Sequence, residues 1–347
     1  MVFLLILCVP DFFRLPGVKD FLAARTPAES QPRLAQVENI LQFPASFEKF
    51  YNEHFTIRDW LIRLDYDIRL NILHEDVFNN VLVGRQGWLY LTDEDNLDYY
   101  QHASPFSQPQ MAHIQQKLDQ VNAHLAAQGI DFIVVVSPNK ESIYPEFLPD
   151  SIQQIHLKSQ LDQLLEYMDQ YGQTKIIDLR MLLIDAKNSG QVYNRTDTHW
   201  NEPGAYLVYR KILDSLHDRL PTVNAYPPED FTLSSETLRG DLSHMLPLTN
   251  PFAEQSIVVT PKFARKAQML QYDPNRITIT EVADATLPKA VIFRDSFFNS
   301  LLPFFSEHFN RAVYVHSFEV DEELVLKEKP DVVILEIAER YLNQWTR

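Results

Sequence analysis

Apolar residues along this chain fall into two alternating patterns. Short, near-continuous apolar runs occupy residues 131–136, 174–179, 290–293, 312–315 and 332–335. Between several of them lie longer stretches, 110–128, 157–171 and 204–220, with apolar residues three and four positions apart. The longer stretches predict amphipathic helices, with Gly129, Gly172 and Pro221 as stops. The short runs predict strands buried on both faces. Strands of that kind alternating with helices mean a parallel central sheet covered on each side, a three-layer α/β/α arrangement.

The pattern is different at both ends of the first hundred residues. Residues 26–75 read as helical with breaks, and Phe50, Phe55, Ile57, Leu61, Leu64 and Ile68 keep helical spacing within 48–73. Residues 81–84 and 87–91 read as a hairpin with Arg85 and Gln86 in its turn. Residues 221–285 interrupt the later alternation. They are rich in Pro, Thr, Ser and Asp, with short strands expected at 257–260 and 276–279, and read as an insertion near the site. The expected organisation is therefore 1–25 as anchor or linker, 26–104 as helical segment and hairpin, and 105–347 as the main α/β domain with an insertion at about 221–285.

Composition narrows the function classes. The 47 acidic residues against 31 basic give a net charge of −16, which argues against nucleic acid as a partner, since such binders present a basic face. The single cysteine, Cys8, precludes an intrachain disulfide. The apolar run 2–9 is shorter than the roughly 20 residues a membrane span needs, and no basic residues precede it as in a signal peptide. It reads either as a buried strand or helix start, or as the tail of a membrane anchor. With 8 glycines the chain has neither of the glycine-rich phosphate-binding loops.

Two segments carry candidate chemistry. Thr196-Asp197-Thr198-His199-Trp200-Asn201 places an acid two residues before a histidine, so that in an extended or turned segment both side chains face one side. Arg294-Asp295-Ser296-Phe297-Phe298 places a serine just past an apolar strand, at the carboxyl edge where open α/β sheets form sites. A serine hydroxyl is a weak nucleophile and needs an adjacent base, which His199 would supply with Asp197 orienting the ring. The bland alternatives are that Asp295 and Ser296 cap the helix expected over 299–309, and that Thr196 or Asp197 caps the helix after His199. Metal binding is a further reading for Asp197 and His199, although no additional ligand cluster completes a site of three or four ligands. Lys140, next to the strand ending near Val136, could line the same edge. Arg294, Asn299 and Arg340 are candidates for oxyanion or substrate contacts. His308 and His316 read as packing or surface residues.

Several segments, in order along the chain, resemble a known family. Thr196-Asp197-Thr198-His199-Trp200-Asn201 with Gly204-Ala205 resembles the TDTHW–GA segment of alginate O-acetyltransferase proteins of the AlgJ/AlgX type, permuted relatives of the SGNH hydrolases. Arg294-Asp295-Ser296-Phe297 resembles their nucleophile segment, and Gly84 with Gly87-Trp88-Leu89-Tyr90 their hairpin. Ser137-Pro138-Asn139-Lys140 with Ile143-Tyr144-Pro145, and Pro330-Asp331-Val332-Val333 with Glu339-Arg340, match two further stretches. One departure is Arg294, where hydrolases of this kind usually carry glycine.

The resemblance implies an SGNH-hydrolase-like fold and a catalytic triad of Ser296, His199 and Asp197, with no cofactor. It also implies a periplasmic or extracytoplasmic setting, an exopolysaccharide substrate, a membrane-bound acyltransferase partner and membrane association through the N-terminus. The leading expectation is a serine-dependent O-acetyltransferase acting on an exported polysaccharide, alginate-like or other. The alternatives are an acetyl esterase using the same triad, and a non-catalytic glycan-binding or scaffold subunit of an export complex.

Overall fold

Seven strands form the central sheet of the computed structural model, which describes residues 58–73, 75–246 and 252–346. In chain order the strands of the molecule are β1 (Val77–Phe78), β2 (Val81–Val83), β3 (Leu89–Leu91), β4 (Asp131–Ser137), β5 (Ile176–Asp178), β6 (Phe231–Leu238), β7 (Glu254–Pro261), β8 (Gln268–Gln271), β9 (Ile277–Glu281), β10 (Lys289–Arg294), β11 (Arg311–His316) and β12 (Val332–Ala338). The central sheet runs β5-β4-β12-β10-β11-β9-β8. The five strands expected from the apolar runs, β5, β4, β12, β10 and β11, are mutually parallel. β9 and β8 continue the sheet antiparallel. Part of the segment read as an insertion thus completes the sheet edge and makes the sheet mixed.

Strand alternation distributes the apolar side chains to two cores. Ile133, Val135, Ile292 and Ile334 face one side, against Ala205, Val208, Tyr209 and Ile212 of the helix Glu202–Leu216. Phe132, Val134, Val291 and Val333 face the other, against Ile114 and Leu118 of the helix Gln108–Ala126 and Leu161 and Leu164 of the helix Gln160–Tyr171. The three-layer arrangement is as the periodicity requires. Caps set the helix starts: Ser159 Oγ accepts from Asp162 N (3.1 Å) while Asp162 accepts from Ser159 N (2.9 Å), and Asn201 Oδ1 accepts from Gly204 N (2.9 Å). Gly129, at φ +75°, ends the first helix where residues with a Cβ are strained.

Two smaller sheets adjoin this frame. β1-β2-β3 is an antiparallel meander whose β2–β3 turn at Arg85–Gly87 is the expected hairpin. β6 and β7 form an antiparallel ribbon over eight residue pairs. The chain divides into two units, Met1–Glu75 and Asp76–Arg347, so the hairpin goes with the α/β unit. Within the first unit, the helix Arg58–Asn71 falls on the periodic stretch. Cys8, the 2–9 run and the rest of the expected N-terminal helical segment lie outside the described residues. Among the described residues, no helix is long and apolar enough to cross a membrane.

Candidate active site

The segment between the helix Arg180–Lys187 and the helix Glu202–Leu216 is tied into a closed loop. A single antiparallel bridge joins Tyr193 to Trp200, and Asn201 N donates to Val192 O (3.0 Å). Asp197 and His199 sit within the loop so closed. Its backbone is held from three directions. The buried Glu254 on β7 accepts from Arg195 N (2.9 Å), Thr196 N (2.7 Å) and Thr196 Oγ1 (2.6 Å). From the carboxyl end of β4, Lys140 Nζ donates to the carbonyls of Asn194 (3.2 Å), Arg195 (3.2 Å) and Asp197 (2.5 Å). Gly240 lies so close that an added Cβ would stand 2.4 Å from Thr196 C.

Ser296 stands two residues past the end of β10, at the start of the tight turn Ser296–Ser300. Asp295 caps that turn, its Oδ1 accepting from Phe297 N (2.8 Å), and its Oδ2 accepts from Ala338 N at the end of β12 (2.7 Å). The capping alternative and the nucleophile reading are therefore compatible: Asp295 fixes the turn, and the neighbouring hydroxyl is left for other contacts. Glu336, on β12 and fully buried, accepts from Asp295 N (3.1 Å) and from the Ser137 hydroxyl. Burial and the adjacent Asp295 charge push its carboxyl well above the ordinary range.

The three candidate side chains meet. His199 Nδ1 is 2.8 Å from Asp197 Oδ1, and His199 Nε2 is 2.8 Å from Ser296 Oγ. Burial raises the Asp197 carboxyl, but hydrogen bonds from the His199 ring, His199 N and Asp241 N, with the imidazole charge, outweigh it and hold the group at about 2. An ionised carboxylate only accepts, so Nδ1 carries the proton, and Nε2 is left to accept from the Ser296 hydroxyl. Phe297 packs edge-on against the His199 ring at 4.9 Å and against Trp200 at 4.9 Å. Trp200 Nε1 donates to Ser300 Oγ (2.6 Å), pinning the loop to the turn after the serine.

A pocket of about 260 Å³ opens over the hydroxyl. Asp197, His199, Ser296 and Asn299 line it, with Glu236 of β6 and Ser256 of β7 forming a wall. The remaining candidates are elsewhere. Arg294 is buried and donates to the carbonyls of Asp295 (3.0 Å) and Pro274 (2.8 Å). Arg340 is buried beneath Phe297, its guanidinium carbon 5.4 Å from that ring, and donates to Glu94 (3.0 Å) and Asn139 (3.3 Å). Lys140 lies under the loop between carbonyls and the Trp88 and Tyr90 rings. None of these three cations lines the pocket, so the expected substrate or oxyanion contacts narrow to Asn299. His308 is buried against the Tyr209 hydroxyl (2.6 Å), and His316 is exposed.

Asp241 and Glu254 carried no sequence signal. Asp241 Oδ1 accepts from Thr198 N (2.7 Å), its N–H donates to Asp197 Oδ2 (3.2 Å), and its Oδ2 lies 3.7 Å from His199 Nδ1. Asp197, His199 and Asp241 bring ligand-type atoms within 4.8 Å of one another. Both ring nitrogens already have partners in Asp197 and Ser296, so the cluster is built to orient the imidazole.

Chains of this architecture include the SGNH hydrolase-like proteins. Residues 81–276 match the family model described as the SGNH hydrolase-like domain of acetyltransferase AlgX, and the chain belongs to that family. The matched span contains Asp197 and His199 and ends before Ser296. The chain is 25% identical over 322 residues to the probable alginate O-acetylase AlgJ of Azotobacter vinelandii, covering 86% of this chain and 78% of the relative. It is 30% identical over 210 residues to the protein of the same name from Pseudomonas fluorescens, covering 58% of this chain and 50% of the relative. Among solved structures, Bacillus cereus PatB1 superposes with a TM-score of 0.59 at 17% identity, over 76% of this chain and 96% of that one. A DHHW family protein from Eubacterium siraeum gives 0.54 at 16% identity, over 77% and 93%. At such identities these structures establish the shared fold.

Proposed function

We propose that this chain is a serine-dependent O-acetyltransferase that modifies hydroxyls of an exported polysaccharide. The observation that carries the reading is the unbroken hydrogen-bonded line from Asp197 through His199 to Ser296, 2.8 Å at each link. It is supported by family membership and by relatives named as probable alginate O-acetylases. In the first half-reaction Ser296 Oγ attacks the donor's acetyl carbonyl as its proton passes to His199 Nε2. Asp197 and the nearby Asp241 carboxylate stabilise the imidazolium so formed. The Ser296 N–H, at the first position of its turn, has no partner within that turn and serves the oxyanion, with Asn299 as second donor. Collapse of the tetrahedral adduct expels the donor alcohol, which takes the proton from His199 and leaves acetyl-Ser296. A sugar hydroxyl then repeats the attack with His199 as base, giving the acetylated glycan and free serine.

The AlgJ/AlgX resemblance extends the proposal to an extracytoplasmic location and to a membrane-bound acyltransferase that supplies the acetyl group. A serine-directed reagent should label Ser296, located by mass spectrometry of the digested protein. With an activated acetyl ester and saturating acceptor glycan, acetyl should appear on the glycan. Release to water alone would make the chain an esterase instead, and an unlabelled Ser296 would leave only a scaffold role.

A further inference from the structure

A second and larger depression, of about 790 Å³, borders the reaction pocket without sharing its chemistry. Arg195 and Gln255 line it, while their chain neighbours Asn194 and Ser256 line the pocket over Ser296. For Gln255 and Ser256 this follows from strand alternation along β7. The two depressions are thus separated by one thickness of backbone on each of two segments. The volume falls in the range of roughly 300–1,000 Å³ typical of ligand clefts.

Its lining has a distinct donor–acceptor character. Asn188, Gln191 and Gln255 all contribute carboxamides. Each makes its side-chain contacts with protein through nitrogen: Asn188 to Ile184 O (3.4 Å), Gln191 to Tyr193 O (2.6 Å) and Glu254 Oε2 (3.2 Å), and Gln255 to Thr237 Oγ1 (3.0 Å). Because a carbonyl can only accept, the orientation of the first two amides is fixed. Among the described residues, none of the three carboxamide oxygens accepts a hydrogen bond from protein. The two cations in the lining are compensated. Lys187 pairs with Glu146 (3.0 Å), and Arg195 lies 3.6 Å from Glu254. One wall is an aromatic stack in which Trp88 lies parallel to Phe147 (4.8 Å, 5°) and against Tyr144 (4.2 Å), with Phe147 only partly buried.

Free acceptors, neutralised charge and an aromatic slab suit a ligand with many hydroxyl donors and electropositive C–H faces, that is, a sugar ring, better than an anion. We propose that this depression is a glycan subsite, holding a stretch of the acceptor polysaccharide beside the reacting residue by hydroxyl donation to the carboxamides and packing on Phe147. The proposal rests on the O-acetyltransferase reading of Ser296.

The test is direct binding to the full chain carrying Ser296→Ala, by titration calorimetry, with a neutral hexasaccharide (cellohexaose) and a hexamannuronate as probes. At least one should bind. Its affinity should change less than about twofold between roughly 0.05 M and 0.5 M salt, since no uncompensated charge is engaged. Asn188→Ala with Gln255→Ala should weaken it about tenfold, and Ser189→Trp, at an exposed lining position, should abolish it. Thermal melting confirms that each variant is folded. Absence of binding by both probes, unchanged affinity in folded variants, or a steep salt dependence would each overturn the subsite. Because the measurement involves no turnover, its outcome is separate from whether Ser296 is acylated in the unaltered chain.

Discussion

Lys140 shows how a residue's role is set by what surrounds it. Its sequence context suggested a site-lining cation; in the structure all three ammonium donors go to carbonyls of the loop bearing Asp197. Lys140→Met keeps most of the hydrocarbon volume but leaves the Asn194 and Asp197 carbonyls without their donor, while Arg195 O keeps Leu89 N (2.9 Å). We expect kcat on an activated acetyl ester to fall at least about tenfold with KM little changed, because a misplaced orienting carboxylate acts on the chemical step. Lys140→Arg should not restore it, since a planar fork does not reproduce three converging donors. Burial lowers the Lys140 pKa to about 8, while Glu141, Asp197, Asp241 and Glu254 act to raise it. As pH rises through about 8, the ammonium loses a donor, so kcat should decline on that side. A pH–rate profile of Lys140→Met should lack that limb. Ser296→Ala, by contrast, removes the proposed nucleophile and should cost roughly 10³-fold or more at every pH, measured on the same ester.

At the scale of elements, the site is an agreement between a strand end, a closed loop and a ribbon. Beside the Glu254 contacts from β7, Gly240, two residues past β6, packs tightly on the loop, with Thr196 C, Thr196 O and Asp197 N all within 2.5 Å of where a Cβ would sit. Its φ of −73° is ordinary, so the constraint is space and not backbone conformation. Gly240→Ala must displace the loop at Thr196 and Asp197. A displacement near 1 Å costs on the order of 100-fold in rate, and the loss should appear in kcat together with a lower Tm by calorimetry. The elements were unequally legible. β4, β10, β11 and β12 announce themselves because both faces are buried, which demands unbroken apolar runs. β8 is exposed at every position, so it carried no such signal, and its place at the sheet edge depends on pairing with β9.

The whole molecule carries buried carboxyls beneath the carboxyl edge of its sheet. Burial pushes Glu339 up to about 7, despite Arg180 and hydrogen bonds from Ser142 Oγ and Asn139 N, and Glu141 rises for the same reason. A carboxyl raised in the folded state binds more protons than in the unfolded chain. Its stabilisation is complete below the unfolded value near 4.5 and is lost as pH climbs through about 7. Tm should therefore fall between pH 5 and pH 7.5 by scanning calorimetry, and Glu339→Gln should flatten that slope. An unchanged slope in the variant would assign the trend to other groups.

The layers and the parallel core of the sheet were legible in the linear chain, and Asp197, His199 and Ser296 stood out there as candidates. Each of these leaves a local trace, in apolar periodicity or in a spacing of two or three residues. Their supporting residues emerge only on folding. Glu254 acts on Thr196 across 58 positions and Asp241 on Asp197 across 44, separations at which a lone acid looks like any solvated one. The same holds for Arg294, Lys140 and Arg340, whose charges suggested solvent or substrate until burial showed their partners to be carbonyls, a carboxamide, a glutamate and aromatic rings. A hydrogen-bond partner is a fact of three-dimensional proximity, and proximity between distant segments is what the chain acquires only on folding.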